Sequence, residues 1–174
     1  MASPFTNMTI FFDAEWRVNG FWNSRFAHFF PPMLNTTGYL CCPEALASIE
    51  QGHGGKADLV IRGAEHDMAA NTWQVTQPLL VFEGKGENVV TNWEDIASQV
   101  QKWCDNNKVV NVWVVTAWGK RVRFYRYKSH GMYPVTWNGG IAVGKGTRTY
   151  DVKVGGDLTM IDAILQYAEA HPDV

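Results

Sequence analysis

The sequence predicts an α/β fold in which a central mixed β-sheet is flanked by helices. Three observations carry that expectation. Short runs at 59–61, 79–82 and 109–116 are aliphatic or β-branched almost throughout, as strands buried on both faces are. Trp93, Ile96, Ala97, Val100, Trp103 and Cys104 recur at the spacing that places them on one face of a helix. The signals run helix, strand, strand, helix, strand, strand, helix, the pattern of a sheet covered by helices.

Each element has its own local reason. After an apolar run at 8–12, Asp13 stands as an N-cap, and Trp16, Val18, Phe21, Trp22, Phe26 and Phe29 recur at roughly helical spacing. Gly20 weakens this helix and Pro31-Pro32 ends it. Pro43 at a first helical position, Glu44 in the first turn and Gly52 as a stop predict a short helix over 43–51. His53-Gly54-Gly55 turns the chain into a strand at 56–62. The stretch 63–72 lacks periodicity and reads as a loop or wide hairpin. Residues 73–77 extend a strand that Pro78 interrupts before the next, at 79–85. Thr91 or Asn92 caps the helix at 93–104, Glu94 and Asp95 complement its dipole, and Asp105-Asn106-Asn107 ends it. A strand at 109–116 follows, and Gly119-Lys120 turns it into another at 122–127. Strand-like pieces between 132 and 154 are broken by Gly139-Gly140, Gly144 and Gly146. Leu158, Ile161, Ile164, Leu165 and Ala168 mark a last amphipathic helix over 158–170.

With 174 residues, 46% hydrophobic and 18% charged, the chain is expected to form one domain over 1–174 with a sizeable core. Wholesale disorder is excluded. A net charge of −2 gives no bulk signal for a nucleic-acid partner, so a polyanion would need a local basic patch. Cys41, Cys42 and Cys104 make a poor disulfide framework and fit a reducing compartment, and without a CxxC there is little support for structural zinc. The first residues lack a signal-peptide pattern, and no run approaches the roughly eighteen apolar residues of a membrane span. The expectation is a soluble, intracellular protein of cytoplasm or nucleus, with no membrane partner. Asn7-Met8-Thr9 and Asn35-Thr36-Thr37 match the glycosylation pattern, and without a secretion signal they read as chance.

Two acids stand where a buried strand should carry none. Asp58 opens the run Leu59-Val60-Ile61, and Glu83 closes Leu79-Leu80-Val81-Phe82. A carboxylate there loses hydration and must be paired or bound to a metal. If the two strands are neighbours, both acids converge at one end of the sheet. Their repulsion then favours a hard cation with oxygen ligands, Mg²⁺ or Mn²⁺. Lys85 follows Glu83 by two residues and so shares its face. An ammonium there can orient or help deprotonate a water, or stabilise developing negative charge. Metal, lysine and water suit attack on a phosphodiester. Either motif alone reads better as structure, with Asp58 a turn residue and Glu83–Lys85 an exposed ion pair. Together, flanked by apolar strands, they favour a site.

Asp58, then Glu83-Gly84-Lys85 after an apolar strand, then an amphipathic helix and a strand, resembles the PD-(D/E)xK nuclease superfamily across about 43–127. The resemblance implies a restriction-endonuclease-like core with N- and C-terminal additions. It implies a Mg²⁺-dependent nuclease, with Mn²⁺ as a substitute, that hydrolyses phosphodiester bonds of DNA or RNA. Asp58, Glu83 and the Gly84 carbonyl would be metal ligands, and Lys85 would position the water. Ala57 replaces the family's proline. Some members add a glutamate from the helix before the sheet, for which Glu44 and Glu50 are the candidates. Others add Gln-x-x-x-Tyr on the following helix; here Gln99 is followed at that spacing by Trp103. The alternative is a nuclease-like module without turnover that binds nucleic acid or a protein, against which the intact acid–acid–lysine set argues.

Lys120, Arg121, Arg123, Arg126 and Lys128 interleave with Phe124, Tyr125 and Tyr127. On a strand, Arg121, Arg123, Tyr125 and Tyr127 share a face, which would combine phosphate contacts with base stacking. Arg121, Arg123 and Tyr125, with Lys102 on the helix, are the candidate nucleic-acid contacts. An edge strand with protective charges is the competing reading. The segment 139–145 begins like a P-loop, but Gly146 stands where a Ser or Thr is needed, so a hairpin turn is expected. The five histidines show no shared ligand spacing.

Overall fold

Leu79-Leu80-Val81-Phe82 takes the middle of the sheet because it has no polar side chain to keep hydrated on either face. The computed structural model describes residues 3–4, 11–32, 37–46 and 56–173, with backbone alone at 37 and 44–46. Among them the helices are α1 (Glu15–Phe29), α2 (Trp93–Asn106) and α3 (Gly155–Ala170). The strands are β1 (Thr37–Leu46), β2 (Lys56–Asp67), β3 (Thr72–Lys85), β4 (Asn111–Trp118), β5 (Arg121–Lys128), β6 (Gly131–Trp137), β7 (Ile141–Val143) and β8 (Tyr150–Asp151). The first seven lie side by side in chain order, and β8 pairs with β5. Only β3 and β4 run parallel. A parallel pair needs a crossover, and α2 supplies it. The sheet is therefore mixed, mostly antiparallel and open.

Two apolar layers hold the helices to the sheet. On one face Leu59, Ile61, Leu80, Phe82, Trp113 and Val115 pack with Val18, Trp22 and Phe26 of α1 and Ile161, Ile164 and Leu165 of α3. On the other, Val60, Val81, Val114 and Tyr125 pack with Val100, Trp103 and Cys104 of α2. The helix-spaced residues of 93–104 thus bury the stripe they predict. Asn92 caps α2, its side-chain oxygen accepting the Asp95 N–H at 2.8 Å.

Three local expectations are corrected, and for 63–72 the structure selects one of two readings. Residues 43–46 belong to strand β1, not to a helix, while 47–51 fall outside the described residues. Pro43 is tolerated because β1 is an edge strand. Of the two readings of 63–72, the wide hairpin is the one found: β2 and β3 run on through it as a paired ribbon to a turn at 68–71, where Asp67 Oδ1 accepts the N–H groups of Ala69 and Ala70. Pro78 does not interrupt β3. It stands opposite Arg62, where the β2–β3 register shifts, so an irregularity absorbs its missing donor. Finally, Ala14 rather than Asp13 holds the N-cap position of α1, and Asp13 pairs with Arg17 at 2.8 Å.

The segment 139–145 is the turn and first residues of a β6–β7 hairpin, with Gly139 at φ +71°. The three cysteines are free. Asn7 and Asn35 lie outside the described residues. Among the described residues no helix is long and apolar enough to cross a membrane.

The start of α1 is tied to the end of β3. Glu87 N–H donates to the Phe12 carbonyl at 2.9 Å, and Gly86 lies so close beneath the helix that a Cβ there would stand 2.5 Å from the Asp13 carbonyl oxygen. Gly86→Ala is accordingly expected to cost about 1–3 kcal/mol of stability by urea unfolding, since the obstructing atoms are backbone. An unchanged midpoint would show that α1 is free to move off the strand.

Candidate functional site

β2 and β3 are antiparallel neighbours, so the beginning of one lies beside the end of the other. The pair Leu59–Phe82 sets the register, and one step further Asp58 and Glu83 stand opposite each other. Asp58 N–H donates to Glu83 Oε2 at 3.4 Å, and Gly84 N–H donates to Asp58 Oδ2 at 2.8 Å. Lys85 reaches back along its own face to place Nζ 2.7 Å from Glu83 Oε1. Glu83 is only 1% exposed. The three residues singled out by their type and spacing form one connected cluster.

Helix α1 adds two residues that the sequence reading passed over. Glu15, in its first turn, brings Oε2 to 3.5 Å from Lys85 Nζ. Asn19, one turn on, hydrogen-bonds the Asp58 carboxylate through its side chain. Its Oδ1 is buried, has no partner among the described residues and lies against Gly84, where a Cβ would collide with it. The available signal was their i, i+4 spacing, which puts both on one side of a helix otherwise recognised by its aromatic residues. Which strand that side meets is a tertiary fact.

The register continues the cluster across the sheet. Glu83 pairs with Thr116, and Thr116 with Arg123, so Asp58, Glu83, Thr116 and Arg123 form one row beneath the side of the sheet that α2 covers. Thr116 is fully buried and its Oγ1 has no partner among the described residues. Arg123 donates from Nε to Thr149 Oγ1 at 2.8 Å, and its guanidinium lies 4.5 Å from the Trp93 ring centre. In the next row on that face Lys85 pairs with Trp118 and Trp118 with Arg121.

Burial is the main electrostatic influence. It pushes the Glu83 carboxyl up to about 7; the Asp58 charge adds to this, and Lys85 works against it. Asp58 is also raised by burial, partly offset by the Gly84 N–H and Lys85. Burial pulls Lys85 down, but the Glu83 hydrogen bond and the charges of Glu83, Glu15 and Asp58 outweigh it and leave the ammonium above its usual range. Three carboxylates therefore face one firmly protonated lysine, and the surplus negative charge invites a cation.

The remaining candidates divide. Arg121 is exposed at the start of β5, in the row of Lys85. Lys102 is exposed on α2. Gln99 is half-buried on α2, and none of the described hydrogen bonds binding Asp58, Glu83 and Lys85 involves it. Tyr125 is a correction: it is 7% exposed in the layer between the sheet and α2, one row deeper than Arg123, and presents no stacking surface. β5 lies between β4 and β6, so the edge-strand reading is corrected as well. Glu44 is on a strand rather than a helix. Its backbone lies between the pairs Pro43–Leu59 and Ala45–Ala57, hence across from Asp58. Glu50 lies outside the described residues.

No protein-family model, curated protein or solved structure matches the chain. The chemistry must be read from the cluster itself.

Among the described residues no group of three or more His, Cys, Asp or Glu is placed to hold a metal ion. The pair Asp58–Glu83 offers oxygen donors only, with the unpartnered Asn19 Oδ1 beside Asp58 and Thr116 Oγ1 next along the row from Glu83. That set fits Mg²⁺ or Mn²⁺ better than a softer metal, since Mg²⁺ is commonly held by one or two carboxylates with water and substrate oxygens completing its shell.

The raised Glu83 carboxyl has a thermodynamic consequence. Its folded-state pKa exceeds the unfolded value, so its stabilising contribution is present below about pH 4.5 and is lost as pH rises through about 7. Between those limits wild type should lose on the order of 2–3 kcal/mol relative to Glu83→Gln, an upper figure for a burial-driven shift. Urea unfolding of both proteins across that range measures the difference; parallel stability profiles would contradict the assignment.

Proposed function

We propose that the chain is a divalent-metal-dependent nuclease of the PD-(D/E)xK type, with β2, β3, α2 and β4 as its restriction-endonuclease-like core. The observation that carries this reading is the convergence of Asp58, Glu83 and Lys85 at one end of two paired central strands, with an α-helical crossover and a parallel strand directly after them. DNA or RNA is the partner, and the free cysteines favour action inside the cell.

Each residue has a role that follows from its surroundings. Asp58 and Glu83 would hold the metal, which when bound supplies a Lewis acid and a more acidic water. Gly84 N–H and the Asn19 side chain orient the Asp58 carboxylate. Lys85 is a donor rather than a base, because its neighbours keep it protonated. It orients the attacking water and offsets the charge that grows on the phosphate oxygens. Glu15 holds the ammonium from the α1 side, so it does not depend on Glu83 alone for a partner. Arg123, braced by Thr149 and Trp93, would contact the phosphate, and Arg121 would extend that contact towards solvent.

The test is cleavage of single- and double-stranded DNA and RNA with Mg²⁺ or Mn²⁺. Wild type should cut at least one of them, and Lys85→Ala and Glu83→Ala should each lower the rate by about 10²–10³-fold. Equal background from wild type and variants would remove the enzyme reading; binding without cleavage would leave the module without turnover. Arg123→Ala should weaken substrate binding and lower the salt dependence by about one counterion. An unchanged salt slope would exclude Arg123 from phosphate contact.

A further inference from the structure

The opposite end of β3 carries a feature unrelated to the acidic cluster. Beyond the region where β4 covers it, from Leu80 onwards, β3 extends through Thr72-Trp73-Gln74-Val75-Thr76-Gln77. Among the described residues this stretch pairs with β2 on one side only, through Ala64–Val75, Glu65–Gln74, His66–Trp73 and Asp67–Thr72. All six side chains are exposed, including Trp73 at 45% and Val75 at 53%. Trp73 lies against His66 with the rings tilted by 45°, and Met68, 71% exposed, brings its sulfur to 3.1 Å from His66 Nδ1, so an apolar surface continues around the tip.

Open edges in stable proteins are ordinarily protected by lysine, proline or an inward charge. Residues 72–77 contain no charged residue and no proline, and threonine, tryptophan and valine favour strands. The pattern also reads the same when it faces itself. In an antiparallel pairing about a twofold axis through Gln74, Trp73 of one copy lies opposite Val75 of the other, and Val75 opposite Trp73. On the other face Gln74 meets Gln74 and Thr72 meets Thr76. Aromatic against β-branched and Thr against Thr are favourable cross-strand pairs, and no like charges are brought opposite each other. Shifting the register by one residue would set Trp73 against Thr76 and Val75 against Gln74, losing the apolar match. The pairing runs out at Gln77, just before the point where β4 takes over the edge.

We propose that the 72–77 edge of β3 pairs antiparallel with the same edge of a second copy of this chain, about a twofold axis at Gln74, joining two sheets into one. The occupant is a second copy because the strand is complementary to itself in both apolar pattern and charge. Such an interface is isologous and closes at two copies.

Sedimentation velocity with wild type, Gln74→Lys, Gln74→Glu and an equimolar mixture of the two variants tests this. Gln74 is exposed, so both variants should keep the wild-type circular dichroism, with melting shifted only slightly, down for Gln74→Glu and up for Gln74→Lys, because Glu65 stands opposite on β2. Wild type should show a concentration-dependent dimer. Each variant alone should self-associate about tenfold more weakly or less, because two like charges then face each other across the axis. The mixture should recover the dimer through a Lys–Glu pair. Wild type that stays monomeric at its highest soluble concentration would overturn the proposal. So would a Gln74→Lys protein that dimerises as well as wild type, or a mixture no more associated than its components.

Discussion

A carboxylate buried at the end of a central strand has to be answered by its surroundings, and much of this site is arranged around Glu83. Its hydration is gone, so the nearest available donor, Lys85, folds back along the strand face to meet it. Lys85 in turn needs more than one anion to stay charged while half-buried, and Glu15 provides the second from the first turn of α1. That requires the helix to start directly above the strand end, which the glycine at 86 and the bond from Glu87 to Phe12 permit. Asn19, one turn along, then reaches Asp58. A single desolvated acid thus links the sheet, the helix start and the charge balance.

The balance is incomplete, and the deficit is informative. A structural ion pair would match one acid with one base and leave no oxygen unpartnered. Among the described residues Asp58, Glu83 and Glu15 share one ammonium, while Asn19 Oδ1 and Thr116 Oγ1 lie buried without donors. Glu83 answers by titrating near neutrality instead of being fully ionised. Such an arrangement costs stability on its own, and under the proposed function it would lower the cost of binding a cation, since the oxygen donors are already brought together.

What was legible from sequence divides along the line between local and tertiary physics. The buried strands, the α2 stripe and its Asn92 cap depend on side-chain period and short-range bonds, and they are found where the pattern puts them. Asp58, Glu83 and Lys85 were visible because acids in apolar strands are costly, an argument that needs no partner to be known. Glu15 and Asn19 were not, because their value comes from the strand that α1 happens to cross. Pro43 illustrates the opposite failure: its preference for a helix start is real, but an edge strand tolerates it equally, and pairing with β2 decides between them. Tyr125 was misplaced for a related reason. Strand alternation correctly put it on the face of Arg123, but Tyr125 lies under the body of α2 among Val100, Trp103 and Cys104, whereas Arg123 meets only the helix start at Trp93 and stays half-buried.

The proposed function rests most directly on Glu83 being a desolvated acid that a divalent cation would ionise. Carbon-detected NMR of its side-chain carboxyl, titrated with and without saturating Mg²⁺, measures this directly. Without the cation the carboxyl should titrate at about 7. With Mg²⁺ the midpoint should fall well below that, because ligation favours the ionised form. A midpoint in the ordinary glutamate range that Mg²⁺ leaves unmoved would contradict both the burial effect and the site built on it.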